Sequence, residues 1–578
     1  MKTVQSSQLS ELEAAKAQYG SGCAARVEKL LASLRKYEFA DAESLVRFHD
    51  VLLFLRAFPQ GGKVVTLTDE LLGGIERQAK RLRDSSADTD IFDPEEFSGI
   101  AGTAIEDTLT YEVARWLASR HPRHIRVAWD LDEQGRQMSS SLPQLLPLLG
   151  DDCFVEADTP YLDWLSSAAG GQQRILPWLL QRLENAPLTI LQKTAWYDAL
   201  QINVSWELGD SPASRTNARR DPPTIYYHKA PLIRRQQVSL QREVNSPPLP
   251  VRKLSAKQGD DVLNLVRGAL TVRYRELYGT TRGDPTQVME ADAGRGVHIF
   301  LWGLPPARRL PLRAYLAGLT VKNGVPINYI EGISLCEWME VGFNTFYAFR
   351  DGETAWIYSK VLHLLHQLTG VTCFSIYPYQ LGEGNEEAIK SGAFWFYRKL
   401  GFRPGNPELL ALTQREEQKI AATPGYRTSA RTLRKLAAEH VFYEIGDGAR
   451  GLWDRFSVRN IGFAVQHYMA EKFKGDPGKM RQKTSEWLAE LLDIDLSGWS
   501  ALEQSAFADF AVVLALVPEV KGWSSREKER LAEIIRAKVG ASEVEYLRLI
   551  QQHLGLKQAM LRLGLAGPLR EELVHPKM

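Results

Sequence analysis

The chain has 578 residues, of which 44% are hydrophobic and 24% charged, and its 71 basic side chains almost balance its 70 acidic ones. This length exceeds what one hydrophobic core organises and predicts about three to four domains. The net charge of +1 provides no overall basic field, so binding to nucleic acid is not expected. The hydrophobic content excludes a largely disordered chain.

The terminal and apolar segments contain no export or membrane signal. The first nineteen residues alternate charges and lack the basic end and apolar stretch of a signal peptide. The most apolar run, residues 507–517, is interrupted by Asp509 and is about half as long as a helix that crosses a bilayer. We therefore expect a cytoplasmic protein without a membrane partner.

Cysteine and histidine placement predicts no metal site. The four cysteines are Cys23, Cys153, Cys336 and Cys373. Their wide separation favours buried free thiols over a disulfide framework or a zinc site. His363 and His366 lie three residues apart in a predicted helix with no third ligand in view, so packing or surface roles are expected for both.

Residues 1–208 are predicted to form a mainly helical N-terminal region. Apolar residues recur at helical spacing in residues 26–39 and in Ala42–Ala57, and Asp41 is placed to cap the second helix. Farther along, short apolar runs such as residues 125–129 fit strands between further helices. The pattern predicts an opening helical hairpin and leaves the fold of the remainder open.

Composition changes sharply between residues 209 and 250. This stretch is rich in Pro, Ser and Arg, which disfavours regular structure and is typical of a connector. Its arginines, which include Arg215, Arg234 and Arg235, are expected to be solvated, with contact to phosphate as the alternative. We expect a domain boundary near residues 247–250 and early proteolytic cleavage at residues 211–223.

Residues 447–578 return to helical patterns and are expected to form an α-helical C-terminal domain. Ser500 followed by Glu503 is a capping box ahead of the apolar run, and residues 543–563 repeat Leu, Ile and Met on one helical face. No long Gly/Ser linker joins either terminal region to the middle segment. Both are therefore expected to pack on it.

The middle segment, residues 251–446, has an order of elements that predicts a mixed sheet. A helix at 260–278 precedes strands at 297–304, 313–321 and 327–335, with a hairpin turn at Asn323-Gly324. Then follow a strand at 340–349, a helix at 354–368, a strand at 371–377, a helix at 386–400 and a strand at 441–445. The strands at 340–349 and 371–377 are expected to be adjacent and parallel.

The sequence NEEAIKSGAFWFYRKLGFRP, residues 385–404, carries a family resemblance. Asn385 opens the predicted helix, Tyr397 lies near its end, Gly401 terminates it, and Phe402 begins a strand. With the order of elements, this segment resembles the last helix of the GNAT (N-acetyltransferase) superfamily. The resemblance implies an α/β (α+β) fold with a GNAT-like mixed sheet and flanking helices, enclosed by mainly α-helical N- and C-terminal regions.

The segment FRDGETA, residues 349–355, corresponds to the cofactor loop of that family. The resemblance implies that its backbone N–H groups, at a helix N-terminus, bind the pyrophosphate of acetyl-CoA or another acyl-CoA. The implied cofactor-binding residues are Arg350, Gly352, Glu353, Thr354, Ala355 and Asn385. Glu353 replaces the first Gly of the family pattern. A carboxylate there repels pyrophosphate and competes for the N–H groups, unless the loop turns it away.

The resemblance also implies catalytic roles for three side chains. Tyr397 would protonate the departing thiolate, while Glu340 or Glu337 would assist proton loss from an amine acceptor of unknown identity. Each residue has a structural alternative. Tyr397 packs among neighbouring aromatic residues, and the two glutamates are ordinary surface carboxylates.

Three functions follow from these patterns. The first is an N-acyltransferase that moves an acyl group from an acyl-CoA to an amine. The second is a non-catalytic GNAT-like module in a scaffold or interaction protein, for which Glu353 is the main ground. The third is a transferase with another donor, such as an aminoacyl-tRNA, which the net charge does not favour. An open cleft at residues 350–355 would favour the thioester enzyme.

Overall fold

A computed structural model describes residues 2–3, 6–35, 37–128, 161–446, 448 and 450–565. The protein is a mixture of helices and open sheets, so the α/β class expected from the sequence is confirmed. The described residues form sheets of two, three and nine strands. Cys153 and the end of the strand predicted at residues 125–129 lie outside the described residues.

The first part of the chain packs its helices directly onto the largest sheet. These helices are Ser6–Ala15, Cys23–Leu34, Ala42–Ala57, Gly62–Leu72 and Ile75–Arg83. Asp41 caps the third one as predicted, because its Oδ1 accepts a hydrogen bond from Ser44 N at 2.7 Å. Strands β1 (Lys2–Thr3) and β2 (Tyr37–Glu38) form a short parallel pair. Phe54 and Phe58 belong to the same hydrophobic core as the sheet.

A second unit within the first 208 residues has its own core. Strands β3 (Ala104–Thr108), β4 (Ile125–Val127) and β5 (Asn203–Glu207) form an antiparallel sheet in the order β3-β5-β4. Its helices are Tyr111–Arg120, Tyr161–Ala169, Ile175–Asn185 and Ile190–Ala199. Val272 of the middle segment packs into this core. Residues 1–208, which the sequence predicts to form one region, therefore contribute to two hydrophobic cores.

The nine-stranded sheet is built entirely from the middle segment. Its strands are β6 (Val251–Lys253), β7 (Met289–Gly294), β8 (Val297–Trp302), β9 (Ala314–Lys322), β10 (Val325–Leu335), β11 (Trp338–Thr345), β12 (Cys373–Ile376), β13 (Arg403–Pro404) and β14 (Val441–Glu444). Their order is β13-β14-β12-β11-β10-β9-β8-β7-β6. The main helices are Ala256–Thr271, Thr354–Thr369, Glu386–Ser391, Ala393–Arg398, Pro407–Ala422 and Ala430–Leu436.

Strands β11 and β12 are adjacent and parallel, as expected, but they pair over a short length. The register joins Trp338 with Cys373 and Glu340 with Ser375. Beyond Glu340, β11 continues to Thr345, whereas β12 ends at Ile376 and the chain turns into the short helix Pro378–Leu381. The helix Thr354–Thr369 connects the two strands. A gap therefore opens in the sheet beside the last residues of β11.

Two helices predicted as continuous are each broken. Gly392 adopts φ of 69° and ends Glu386–Ser391, after which the separate helix Ala393–Arg398 begins. The predicted helix at 543–563 divides into Glu543–Gln551 and Leu554–Leu565, because His553 Nδ1 accepts a hydrogen bond from Leu556 N at 3.1 Å and starts a second helix. Apolar periodicity continues through both breaks, so it does not reveal them.

The C-terminal helices pack against one end of the nine-stranded sheet. They are Val458–Phe473, Pro477–Leu492, Ala501–Leu514, Ser525–Lys538, Glu543–Gln551 and Leu554–Leu565. Ser500 and Glu503 form the predicted capping box. Buried Lys538 pairs with Glu543 and donates to Arg313 O at 3.0 Å, and Arg548 Nη2 donates to Gln367 O at 2.9 Å. This domain is thus joined to the middle segment by polar as well as apolar contacts.

The connector, residues 209–250, is packed rather than free. The Arg215 side chain, expected to be solvated, is buried, and its Nη1 donates to Glu96 O at 2.6 Å and to Ser98 O at 3.3 Å. Arg220 N donates to Gly324 O at 2.9 Å, and a Cβ at residue 324 would lie 1.9 Å from Arg220 O. The sequence pattern predicts that water surrounds the Arg215 side chain, whereas in the structure backbone carbonyl oxygens accept its hydrogen bonds.

This packing changes the proteolysis expected from the sequence. Trypsin should cleave after Lys474, which lies in an exposed turn between two helices, well before it cleaves after Arg215. A time course of limited digestion, with fragments identified by mass spectrometry, measures the order. Early fragments that end at Arg215 would contradict the packed connector.

Candidate functional site

Glu353 precedes the helix Thr354–Thr369 but does not cap it. The residue occupies the N-cap position and makes no side-chain hydrogen bond to that helix. Its buried carboxylate instead accepts hydrogen bonds from Ile233 N at 3.0 Å and from Arg295 Nε at 3.2 Å. The first amides of the helix, which have no acceptor within a helix, are therefore free of this carboxylate. The loop turns Glu353 inward, away from Arg350.

A buried ionic cluster surrounds the Glu353 carboxylate. Arg295 binds both of its oxygens, and Lys322 Nζ lies 3.9 Å from Oε2. Arg295 Nη1 also donates to Tyr226 Oη at 3.0 Å, and Nη2 lies 3.4 Å from His228 Nδ1. The cluster joins the connector, the turn between β7 and β8, the end of β9 and the start of the helix.

Burial and the neighbouring charges shift the pKa values of His228 and Lys322. Burial, followed by repulsion from Lys322 and Arg295, lowers the pKa of His228 to about 2. Burial also lowers the pKa of Lys322 to about 7, with attraction from Glu353 opposing the shift and repulsion from Arg295 adding to it. His228 is therefore neutral in the folded protein at any physiological pH.

An open cavity lies in front of the helix start. It has a volume of about 490 Å³ and is called the outer cavity here; its lining includes Arg234, Arg235, Arg350, Gly352, Thr354 and Ala355. Among the described residues, neither Arg234 nor Arg235 forms an ion pair. Asp351, which also lines the cavity, is paired with Lys16 at 2.9 Å. The cavity therefore combines unpaired guanidinium groups with a helix N-terminus.

A second cavity occupies the gap beside β11. It has a volume of about 570 Å³ and is called the inner cavity here; its lining includes Tyr329, Glu331, Gly342, Gln380, Asn385 and Tyr397. Both cavities are lined by Arg350, Thr354 and Phe396, so they are neighbours. Gln380 reaches towards the unpaired edge of β11, where its Nε2 is 3.4 Å from Val341 O and its Oε1 is 3.4 Å from Phe343 N.

Tyr397 and Asn385 face the inner cavity, while Arg350 lies at its border with the outer one. Tyr397 Oη donates to Gln380 Oε1 at 3.3 Å, and its ring packs against Tyr358 and Phe402. Burial raises the pKa of the Tyr397 hydroxyl, so it stays protonated at neutral pH. Asn385 Oδ1 caps the helix that starts at Glu386, by accepting from Ala388 N at 3.1 Å.

Arg350 is held at the border of the two cavities. Its Nη1 lies 2.5 Å from Glu387 Oε1, and its guanidinium stacks 3.8 Å from the centre of the Tyr347 ring. Gly352 packs against the N-terminal helices, because a Cβ there would lie 2.6 Å from Phe58 Cζ. The positions of these two residues thus depend on parts of the chain outside the loop.

No protein-family model, curated protein or solved structure matches this chain. The function has to be inferred from the cavities themselves. None of the described helices is long and apolar enough to span a membrane. Within the described ranges, no three His, Cys, Asp or Glu side chains are grouped so that they could hold a metal ion. His363 lies near Glu243, and His366 Nδ1 is 2.7 Å from Val371 O.

The two glutamates expected to act as bases have partners away from Tyr397. Glu337 pairs with Lys557 at 3.0 Å, at the interface with the C-terminal helices. Glu340 Oε2 lies 2.8 Å from His440 Nε2. Glu340 lies in β11 and Glu337 in the turn before it, but neither belongs to the lining of the inner cavity among the described residues. The structure therefore brings Tyr397, Asn385, Arg350 and Thr354 together and leaves these two glutamates apart.

The carboxylate that faces the inner cavity from the sheet is Glu331 of β10. It lies directly opposite Gly342 in the register of β10 and β11. No motif in the sequence points to Glu331 as a site residue. The available signal was a charged residue inside Val325–Leu335, a strand that is otherwise buried along almost its whole length. For Arg234 and Arg235 the sequence predicts solvated side chains, with phosphate contact as the alternative, because their placement depends on the path of the connector.

Replacement of Glu353 tests the buried ionic cluster. Glu353→Gln leaves Arg295 and Lys322 without their counter-charge, and we expect the opening free energy of the helix Thr354–Thr369 to fall by about 3 kcal/mol. Hydrogen–deuterium exchange of peptides from residues 350–369 measures this change. The exposed pair of Arg350 and Glu387 supplies the control, since Glu387→Gln should cost less than about 1 kcal/mol. Equal effects of the two substitutions would contradict the cluster.

The pKa of His228 gives the protein a pH dependence on the acid side. Because the folded pKa lies below the value of about 6.5 in the unfolded chain, the unfolded state binds more protons below that pH. Stability is therefore lost as the pH falls below 6.5, with a slope that approaches about 1.4 kcal/mol per pH unit for this one group. His228→Phe should flatten the fall in melting temperature between pH 7 and pH 5. His467→Phe, at an exposed site, should leave it unchanged.

Proposed function

We propose that the outer and inner cavities form the acyl-CoA site of a GNAT-like N-acyltransferase, which moves an acyl group from an acyl-CoA to an amine. The observation that carries this proposal is the gap beside β11, where the buried Tyr397 hydroxyl faces a cavity that adjoins an arginine-lined helix N-terminus. The resemblance at residues 385–404 and the order of elements from β11 to β14 add support.

The outer cavity suits the diphosphate end of the cofactor. Arg234 and Arg235 supply unpaired positive charge, Arg350 lines the same cavity while paired with Glu387, and the first amides of the helix supply hydrogen-bond donors. Glu353, which stands where the family has Gly, does not oppose this role because its carboxylate points into the ionic cluster. Lys16 reduces the repulsion from Asp351 by pairing with it.

The inner cavity suits the pantetheine arm and the thioester. The two Gln380 hydrogen bonds to β11 are long, and an amide of the arm would replace them at the same strand edge. The amine attacks the thioester carbon, the carbon–sulfur bond breaks, and Tyr397 gives its proton to the departing thiolate. Backbone N–H groups along the free edge of β11 hold the charge that develops on the carbonyl oxygen.

The non-catalytic alternative also has an observation in its favour. The Tyr397 ring packs against Tyr358 and Phe402 at centroid distances of 5.8 and 5.7 Å, which is the arrangement of a structural aromatic residue. Glu353, in contrast, no longer supports that alternative, because it does not fill the loop. Binding of the cofactor and turnover separate the two interpretations.

Calorimetric titration of CoA and acetyl-CoA tests the proposal directly. We expect both to bind, and the double substitution Arg234→Ala, Arg235→Ala to weaken binding at least about tenfold, equivalent to about 1.4 kcal/mol. Arg242→Ala, at an exposed position in the same connector, is the matched control and should bind normally. Tyr397→Phe should bind both ligands normally but release thiol from acetyl-CoA with amines about 100-fold more slowly. If either CoA or acetyl-CoA fails to bind, the proposal of a CoA-dependent enzyme is wrong.

A further inference from the structure

Among the described residues, one hydroxyl holds the Glu331 carboxylate at the wall of the inner cavity. Its Oε1 accepts a hydrogen bond from Tyr315 Oη, and both residues lie on neighbouring strands of the sheet. Burial raises the pKa of Glu331, with the Tyr315 hydrogen bond acting in the opposite direction. The side chain is half-buried, so one part of the carboxylate stays open towards the cavity.

In the part of the chain that the structure describes, the cations around the inner cavity are paired elsewhere and leave Glu331 without a counter-ion. Arg275 is bound by Glu95 and also donates to Tyr329 Oη at 3.1 Å, and Arg350 is bound by Glu387. Within the described ranges, no Lys, Arg or His nitrogen lies within 4.0 Å of the Glu331 carboxylate. A half-buried carboxylate of this kind is stabilised by any cation that enters the cavity.

The walls of the inner cavity include aromatic side chains and leave room for a small molecule. Tyr329 lies two residues before Glu331 on the same face of β10, and Phe343 and Phe396 also line the cavity. Gly342 lies between Gln380 and Glu331, since a Cβ there would make ordinary contacts at 3.4 Å from Gln380 Nε2 and 3.6 Å from Glu331 Cβ. Gln380 in turn accepts from the Tyr397 hydroxyl. Gly342 thus lies between the carboxylate and the side chain that contacts Tyr397.

We propose that Glu331 binds the ammonium group of a small primary amine with an apolar body, and that it removes a proton from this amine before acyl transfer. The removal of a proton rests on the proposed function, whereas the binding of an ammonium group rests on the cavity alone. Such an acceptor pairs its charge with Glu331 and packs its body on the aromatic walls.

In the proposed reaction, two protons leave the ammonium nitrogen and one reaches the departing thiolate. Glu331 takes one proton from the ammonium group, which frees the nitrogen lone pair to form the carbon–nitrogen bond. The carbon–sulfur bond then breaks, and the thiolate receives a proton through Tyr397, which is restored by the second proton of the attacking nitrogen. The products are an amide, CoA as the free thiol, and one proton that Glu331 later releases to water.

Pairs of an amine and its neutral alcohol analogue test the ammonium site without any need for turnover. We would titrate tyramine against tyrosol, benzylamine against benzyl alcohol, and hexylamine against hexanol into the full chain. In at least one pair the amine should bind at least tenfold more tightly. Glu331→Gln should abolish that preference, since the amide still accepts from Tyr315 but carries no charge. Tyr315→Phe keeps the charge and should retain the preference, and thermal melts verify that each variant is folded.

The outcomes separate this inference from the proposed function. If no amine is preferred over its alcohol, including the case in which none binds, or if Glu331→Gln keeps the preference, the ammonium site is wrong. If the preference depends on Glu331 but CoA does not bind to the unsubstituted protein, the ammonium site is supported and the proposal of acyl transfer from acyl-CoA is wrong. Normal CoA binding by Glu331→Gln, together with at least a hundredfold loss of turnover, supports both.

Discussion

The candidate site depends on the interaction of the buried Glu353 carboxylate with its cationic and hydrogen-bonding partners. A carboxylate removed from water needs charged partners and hydrogen-bond donors, and here they come from three separate places in the sequence. Arg295 comes from a hairpin turn, Lys322 from a strand end, and Ile233 supplies a backbone amide from the connector. Because all must converge on one side chain, the loop at residues 350–355 acquires a fixed shape that leaves the helix N-terminus open.

The sheet contributes the second constraint, through the unequal lengths of two neighbours. Parallel pairing of β11 and β12 stops at Glu340, yet β11 continues alongside β10, so the backbone groups on the other side of β11 lack a strand partner over several residues. Buried backbone groups of this kind require substitutes. Gln380 fills part of the gap with long hydrogen bonds, which a ligand that offers amide groups can displace at small cost.

Features set by local chemistry were predictable from the sequence, and features set by distant contacts were not. The caps at Asp41, Asn385 and Ser500 and the turn at Asn323-Gly324 each follow from residues a few positions apart. The burial of Arg215 and the role of Glu331 depend instead on strand register and on the path of the connector. Helical periodicity also concealed the break at Gly392, because apolar residues continue on both sides.

The Gly352 contact has a consequence for how such a chain can change over time. The middle segment has the order of a domain, but the loop presses against Phe58 and draws its amide donor from Ile233, both outside residues 251–446. A cut at the compositional boundary near residue 250 would separate this loop from both. Recombination that exchanges the sheet alone would keep Arg295 and Lys322 beside Glu353 but would remove the Ile233 amide and the Phe58 contact, so the connector and the first helices have to be inherited with the sheet to keep the shape of the loop.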